Sequence, residues 1–342
     1  MKKRSTLLIV ALIAVLVMAM FAGCSSGGSA EEQEPAASTE AEESTPEESP
    51  AADTEASGDD TITIGFTIPS MVTEFFINLQ NGTKDAAEAA GYEIIALDAG
   101  ADPAKQASQV DEFIAQGVDA VILTPADGEA MGPSVEKVQE AGIPMLEVCT
   151  STTVEPDSLV MADDVEAGAA ITKGLCDAIG GKGNIVVIEG VMGQSSQIDR
   201  KDGMDAVLKD YPDVKILAQD TANWDRAEAQ TLMENWIQAH GDQINGILCQ
   251  NDEMAIGVAN ALDAADLSGK IPLVGIDFVP DSEQYIADGK ITLDLWQDAY
   301  TEGKMIVETL TKILNGEQVE KVTLLQMTPI TKDNVDEYKE QN

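Results

Sequence analysis

The sequence predicts an α/β protein built as two similar doubly wound parallel-sheet lobes that face each other across a cleft. Three observations lead there. From Thr61 onward, short apolar runs of strand length alternate with longer amphipathic stretches of helical period. That alternation occurs twice in succession, one series ending near Asp163-Asp164 and the next beginning with NIVVIEG. The stretch 61–342 is also longer than a typical single domain and suits two lobes.

The N-terminal elements set the compartment. Met1-Lys2-Lys3-Arg4 is a positive leader, Leu7 to Phe21 is an unbroken apolar run, and small residues Ala22-Gly23 precede Cys24. This order predicts a signal peptide over 1–23, because the apolar run is short and a small-residue processing site follows it. Phe21-Ala22-Gly23-Cys24 resembles the bacterial lipobox, which implies that Cys24 becomes the lipidated first residue of an extracytoplasmic, membrane-anchored lipoprotein. Acyl chains contribute about 0.8 kcal/mol per buried methylene, enough in combination to hold a domain at a membrane. Residues 24–60 contain no aromatic residue, no Leu, Ile or Val, and no Lys or Arg. Such a composition cannot bury enough apolar surface to offset chain entropy and predicts a disordered acidic tether.

In the folded part, TITIGFTI, YEIIALDA, AVILTP, PMLEVC, NIVVIEG, VKILAQD, GILCQN, PLVGID and TLDLW read as buried parallel strands. Helices fall between them, as in FINLQNGTKDAAEAAG, KQASQVDEFIAQG and EMAIGVANALDAAD, with Gly91, Gly117 and Gly142 as left-handed caps.

Charge and composition exclude several function classes. The chain carries 61 acidic against 20 basic residues. Without the three basic residues of the leader and the twelve acidic ones of the tether, 49 against 17 still leave −32. That field opposes nucleic acid and steered anionic ligands. Beyond Cys24 only Cys149, Cys176 and Cys249 remain, without metal-type spacing, and read as buried free thiols. His240, the one histidine, reads as a helix C-terminal residue. Gly180-Gly181-Lys182-Gly183 lacks the Ser or Thr of a phosphate loop, and no nucleophile elbow is present, so neither a catalytic residue, a metal site nor a cofactor is expected.

In open α/β sheets, ligands bind beyond the carboxyl ends of strands. Beyond the strands lie Thr73, Phe75 and Phe76; Arg200 in QIDRKDGM; Trp224 in NWDR; Asn251 in QNDE; Asp277; and Gln297. Aromatic rings stack on the apolar faces of sugars, while Asn, Asp, Gln and Arg match their hydroxyls, which are costly to bury unpaired. Asp252 and Glu253 read as caps of the helix that follows.

The segments FF (75–76), NWDR (223–226), QNDEMAIG (250–257), VGID (274–277) with Pro280-Asp281, and Asp288-Gly289-Lys290 through Gln297 resemble the ribose-type periplasmic binding proteins, from Thr61 to about Gln326. The resemblance implies hydroxyl contacts from Arg200, Asn251, Asp277 and Gln297, and aromatic contacts from Phe75, Phe76 and Trp224. It implies hinge crossovers near Asp163-Asp164, Gln297-Asp298 and Gln326-Met327, hence one lobe of 61–163 plus 298–326 and another of 164–297 plus 327–342. Ribose-taking members have Asn at Thr73 and an Asp-Arg pair at Cys149-Thr150, so a deoxy, larger or differently hydroxylated ligand is implied. The expected protein is a monomeric carrier that delivers a small polyhydroxylated ligand to an ABC permease without transforming it. A sensor of the same fold, feeding a chemoreceptor or sensor kinase, is the alternative, as is a furanosyl signal molecule for ligand.

Overall fold

The computed structural model describes residues 61–339. The leader, Cys24 and the acidic tether lie outside the described residues. Along the chain run β1 (Thr63–Ile68), α1 (Glu74–Ala90), β2 (Glu93–Asp98), α2 (Pro103–Gln116), β3 (Ala120–Leu123), α3 (Gly132–Glu140), β4 (Met145–Val148) and β5 (Ser158–Ala162). Next come α4 (Asp164–Ala178), β6 (Gly183–Glu189), α5 (Ser195–Leu208), β7 (Val214–Thr221), α6 (Arg226–His240), β8 (Gly246–Cys249) and α7 (Asp252–Ala264). The chain ends through β9 (Leu273–Val274), α8 (Glu283–Ala287), β10 (Asp294–Trp296), α9 (Ala299–Leu314), β11 (Val322–Leu325), β12 (Thr328–Ile330) and α10 (Val335–Tyr338).

Two parallel sheets result, ordered β11-β5-β4-β3-β1-β2 and β7-β6-β8-β9. In each, the lobe's first strand lies between its second and third, so chain order reverses at the same place in both. β3, β4 and β8 are buried at every position, as parallel strands covered on both faces must be. Two apolar clusters flank the first sheet, around Phe66 and Leu310 and around Phe113 and Met145. Two more flank the second, around Ile247 and Phe278 and around Ile185 and Leu175. Each fully buried Leu, Ile or Phe in them contributes about 1.5–3 kcal/mol relative to exposure.

Gly91, Gly117 and Gly142 adopt φ of 76°, 71° and 73°, the left-handed cap geometry that the sequence predicts. TLDLW departs from its reading as a buried parallel strand. Leu293 and Trp296 do bridge in parallel to Val274 and Asp277, but Asp294–Trp296 pair antiparallel with β12. Two strands of the first sheet go unread in the sequence, β5 and β11. β5 is a single short run just after Pro156-Asp157, and β11 is a four-residue edge strand, Val322-Thr323-Leu324-Leu325, with most of its apolar side chains exposed.

The chain passes between the two halves three times. β5 belongs to the first sheet, and α4, which follows at once, packs on α5. β10 lies beside the second sheet, and α9, which follows it, packs on α1. β11 borders the first sheet, and β12 pairs with β10.

Candidate ligand-binding cleft

The carboxyl ends of both sheets face one cleft. Thr73, Phe75 and Phe76 come from the loop after β1 and the start of α1; Cys149 and Thr150 follow β4. Across from them stand Arg200 on α5, Trp224 after β7, Asn251 after β8 and Asp277 after β9. Eight of the nine side chains expected from the sequence thus line a single cavity, and Gln194 and Ser196 join them. Gln297, the ninth, stands behind this wall, holding Arg200. Phe75 belongs to the first lobe's core, whereas Phe76 is only partly buried against it.

The polar groups have distinct states. Arg200 is fixed on three sides, donating from Nε to Asp164 Oδ1 at 2.7 Å, from Nη1 to the Gln250 carbonyl, and from Nη2 to Gln297 Oε1 at 2.9 Å. Gln297 in turn donates to Glu302 Oε2 at 2.9 Å. Burial raises the Glu302 carboxyl to about 8, so at neutral pH it is a neutral partner. Burial also raises Asp164, against the pull of Arg200. Only two of the five guanidinium N–H groups are then left for a ligand. The Asp277 carboxylate, 6 % exposed, accepts no hydrogen bond from the described residues, and burial pushes its pKa well above the usual range despite Arg200. The Thr73 hydroxyl is buried and unpartnered as well. Asn251 uses Oδ1 to cap α7 through the Met254 N–H at 3.0 Å, which leaves its amide Nδ2 for the cleft. The cap bond of α7 is therefore made by Asn251, and Asp252 and Glu253 occupy the first helical turn. Below this floor burial raises both Asp252 and Asp294, Asp294 to about 6.

Backbone strain gathers here. Seven non-glycine residues among the described ones have positive φ, and five of them are Cys149 (71°), Asn223 (52°), Trp224 (61°), Asp277 (124°) and Phe278 (54°). Such conformations cost on the order of 1–3 kcal/mol each and persist where surrounding structure over-determines them. The three buried thiols are free, and burial holds Cys149 well above its ordinary pKa, so it lines the cavity as a protonated, weakly polar group.

The two lobes touch on both sides of the cavity. On one, Gln194 Nε2 donates to the Ala126 carbonyl at 3.1 Å and the Ser151 N–H donates to Ser195 Oγ at 2.9 Å. On the other, the Glu74 N–H donates to Glu253 Oε1 at 3.4 Å and the Asp281 N–H to Glu74 Oε2 at 3.2 Å. Arg226 ties Glu253 and Asp281 together at 2.8 Å each. The cavity between these residues measures about 40 Å³, little more than a water's share of liquid volume. A wider space of about 600 Å³ opens beyond Phe76 and Trp224, and another of about 280 Å³ beyond Phe75 and Asp277. Thr73, Gln194 and Trp224 border the larger of these spaces and Asp277 the smaller, so the floor residues stand between the small cavity and both openings.

Gln194 and Ser196 went unread because VMGQSS has no periodicity and carries neither a charge nor a ring. Their position past the end of β6 was the available signal.

Two parallel-sheet lobes closing a polar and aromatic cleft around three crossovers define a two-lobed solute-binding protein. The chain belongs to the periplasmic binding protein domain family, whose profile matches residues 64–318. It is 40% identical over 283 residues to the xylitol-binding protein of Mycolicibacterium smegmatis, covering 82% of this chain and 80% of that one. It is 32% identical over 261 residues to the ribose import binding protein of Bacillus subtilis, covering 76% and 84% of the two chains. Among solved structures, an ABC transporter solute-binding protein from Bacillus halodurans with bound myo-inositol superposes with a TM-score of 0.79 at 30% identity, over 83% of this chain and 100% of that one.

Proposed function

We propose that this chain is the extracytoplasmic, lipid-anchored binding protein of an ABC importer, and that it captures a neutral sugar or sugar-like polyol in the interlobe cleft. One observation carries the ligand class. The cleft floor offers an unpartnered carboxyl at Asp277, a free amide at Asn251, an unpartnered hydroxyl at Thr73 and two spare guanidinium N–H groups on Arg200, between the Trp224 and Phe76 rings. A hydroxyl both donates and accepts, so a ring of hydroxyls satisfies all four at once, and its C–H faces suit the aromatic walls. Relatives that bind xylitol, ribose and myo-inositol support the same class. Cys149 and Thr150 make the first-lobe wall small and uncharged, which favours a ligand with fewer or differently placed hydroxyls than ribose.

The ligand bridges both lobes and binds the closed state better than the open one, which shifts the population toward closure. The permease then distinguishes closed from open lobe spacing. Hinge bending falls at Asp163-Asp164, Gln297-Asp298 and Gln326-Met327, and the neutral Glu302–Gln297 pair holds Arg200 beside two of these crossovers. The anchor rests on the Phe21–Cys24 sequence, with the acidic tether spanning the distance to the folded part.

A thermal-shift screen of the purified chain against pentoses, hexoses, deoxysugars, inositols, acyclic polyols and furanosyl diols tests this reading. A ligand at a hundred times its dissociation constant adds about 2.7 kcal/mol of stability. The expected outcome is a strong hit that disappears in both Asp277→Ala and Trp224→Ala. A panel without any hit would remove the polyol assignment.

A further inference from the structure

We infer that Gln194 is a positioning residue that couples closure of the cleft to the seating of Trp224. The inference rests on the solute-binding reading above and names the group that makes closure and ligand contact one event.

Gln194 precedes α5 and is 4 % exposed, yet its side chain makes no cap bond to that helix. Its amide is used at both ends instead. Oε1 accepts the Trp224 indole N–H at 2.6 Å, within the second lobe. Nε2 donates across the cleft to the carbonyls of Ala126 at 3.1 Å and Pro125 at 3.4 Å. The orientation of the amide is fixed by its partners, since an indole N–H can only donate and a carbonyl can only accept. The indole in turn has a defined seat: a Cβ on Gly190 would come within 1.9 Å of its ring, and the Arg200 guanidinium lies 5.7 Å from its centre.

Closure buries the Nε2 group and both carbonyls. Left unpaired they would carry their full desolvation penalty, so the first lobe's approach is favourable only while the amide points its donor end outward. Holding the indole N–H sets that direction. The Ser151–Ser195 contact at 2.9 Å adjoins this bond and closes with it. A side chain that only accepts would keep the indole and refuse the carbonyls, which separates the two functions of Gln194.

The test uses the purified chain with Gln194→Glu and Gln194→Ala. Three readouts are taken: release of xylitol, D-ribose or myo-inositol by stopped-flow, tryptophan emission of the free protein, and hydrogen exchange at the Ser151 amide. Gln194→Glu should release bound polyol at least tenfold faster at pH 7.5 while tryptophan emission stays as in the wild type, and the difference should shrink at pH 5 as the introduced carboxyl takes a proton. Gln194→Ala should speed release and also shift the emission, since both bonds are lost. Ser151 should exchange faster in Gln194→Glu than in the wild type. Should Gln194→Ala fold poorly, the near-isosteric Gln194→Glu carries the test. Wild-type release kinetics in Gln194→Glu, or equal Ser151 exchange, would overturn the inference. A wild type that binds none of the three polyols counts against the ligand reading alone, and the Ser151 exchange comparison then decides the coupling.

Discussion

Trp224 shows how one side chain is placed by residues that never meet a ligand. Its backbone sits at φ 61°, next to Asn223 at 52°, a conformation a bulky residue adopts only when held. Asn223 donates to Glu228 Oε2 at 2.8 Å, Asp225 caps α6 through the Glu228 N–H, and Gly190 leaves the ring its space. Gly190→Ala is therefore expected to push the indole toward the cleft. The ring borders open space there, so the melting temperature should move little. Polyol affinity should fall more than tenfold, readable by titration calorimetry alongside near-UV circular dichroism of the displaced indole. At this scale Trp224 was legible because a strand-end tryptophan beside Asn and Asp is an odd core residue, whereas Arg200 and Asp277 were picked out mainly by the family resemblance. Asp164 and Glu302 were illegible for the opposite reason. Each lies in the first turn of a helix behind an Asp N-cap, in DDVEAG and DAYTEG, where an acidic residue is ordinary in a chain with 61 of them. Only the fold reveals that both are buried beside the hinge.

Helices carry the site through unusually close crossings. A Cβ on Gly168 in α4 would lie 2.0 Å from the Arg200 carbonyl in α5, and one on Gly203 in α5 would lie 2.1 Å from the Val165 carbonyl. The same arrangement joins α1 to α9 through Gly82 and Gly303, and α6 to α7 through Gly257. Each pair presents a cleft residue near its contact, so helix spacing is set by glycine and side-chain placement follows. Gly168→Ala should force α5 outward at the residue that bears the guanidinium. Overpacking of this kind costs typically 1–3 kcal/mol, so the expected result is a lower denaturant midpoint together with weaker polyol binding. Unchanged binding with lowered stability would mean that the Asp164 and Gln297 bonds alone hold Arg200. The helices themselves were readable from period and caps, but their mates were not, because glycine in a helix reads locally as a weakness and its partner lies far along the chain. The strands followed the same division. Continuous apolar runs announced the sheet interiors, whereas β11 and β12 depend on neighbours for their pairing.

Among the described residues, buried carboxyl groups outnumber buried cations, and this fixes how stability should depend on pH. Burial raises Glu302 to about 8, Glu147 to about 7 and Asp294 to about 6, and raises Asp252, Asp277 and Asp164 as well. Between the unfolded values near 4–4.5 and these folded values, the native state binds more protons than the unfolded chain. Stability must then fall as pH rises through that window, from about 4.5 to about 8, and level off once the folded groups have also ionised. The lowered carboxyls, Asp177 and Asp263, lie at the surface, where screening leaves them little weight. The raised lysines titrate well above this range. A net charge of −41 acts in the same direction, since carboxylate repulsion grows over the lower part of the window. The melting temperature should accordingly peak near pH 5 and decline toward pH 8.5. Glu302→Gln isolates the hinge contribution, because an amide oxygen still accepts the Gln297 N–H while no charge develops. That variant should match the wild type at pH 5 and exceed it at pH 8.5 by on the order of 1–3 kcal/mol, with polyol binding retained at pH 7. A scan of melting temperature against pH for both proteins checks the sign. Parallel curves would mean that water reaches Glu302 and that the hinge carries an ionised carboxylate; converging curves toward acid pH would establish a protonated Glu302, linked through Gln297 to the Arg200 guanidinium, as the state in which the two lobes are joined.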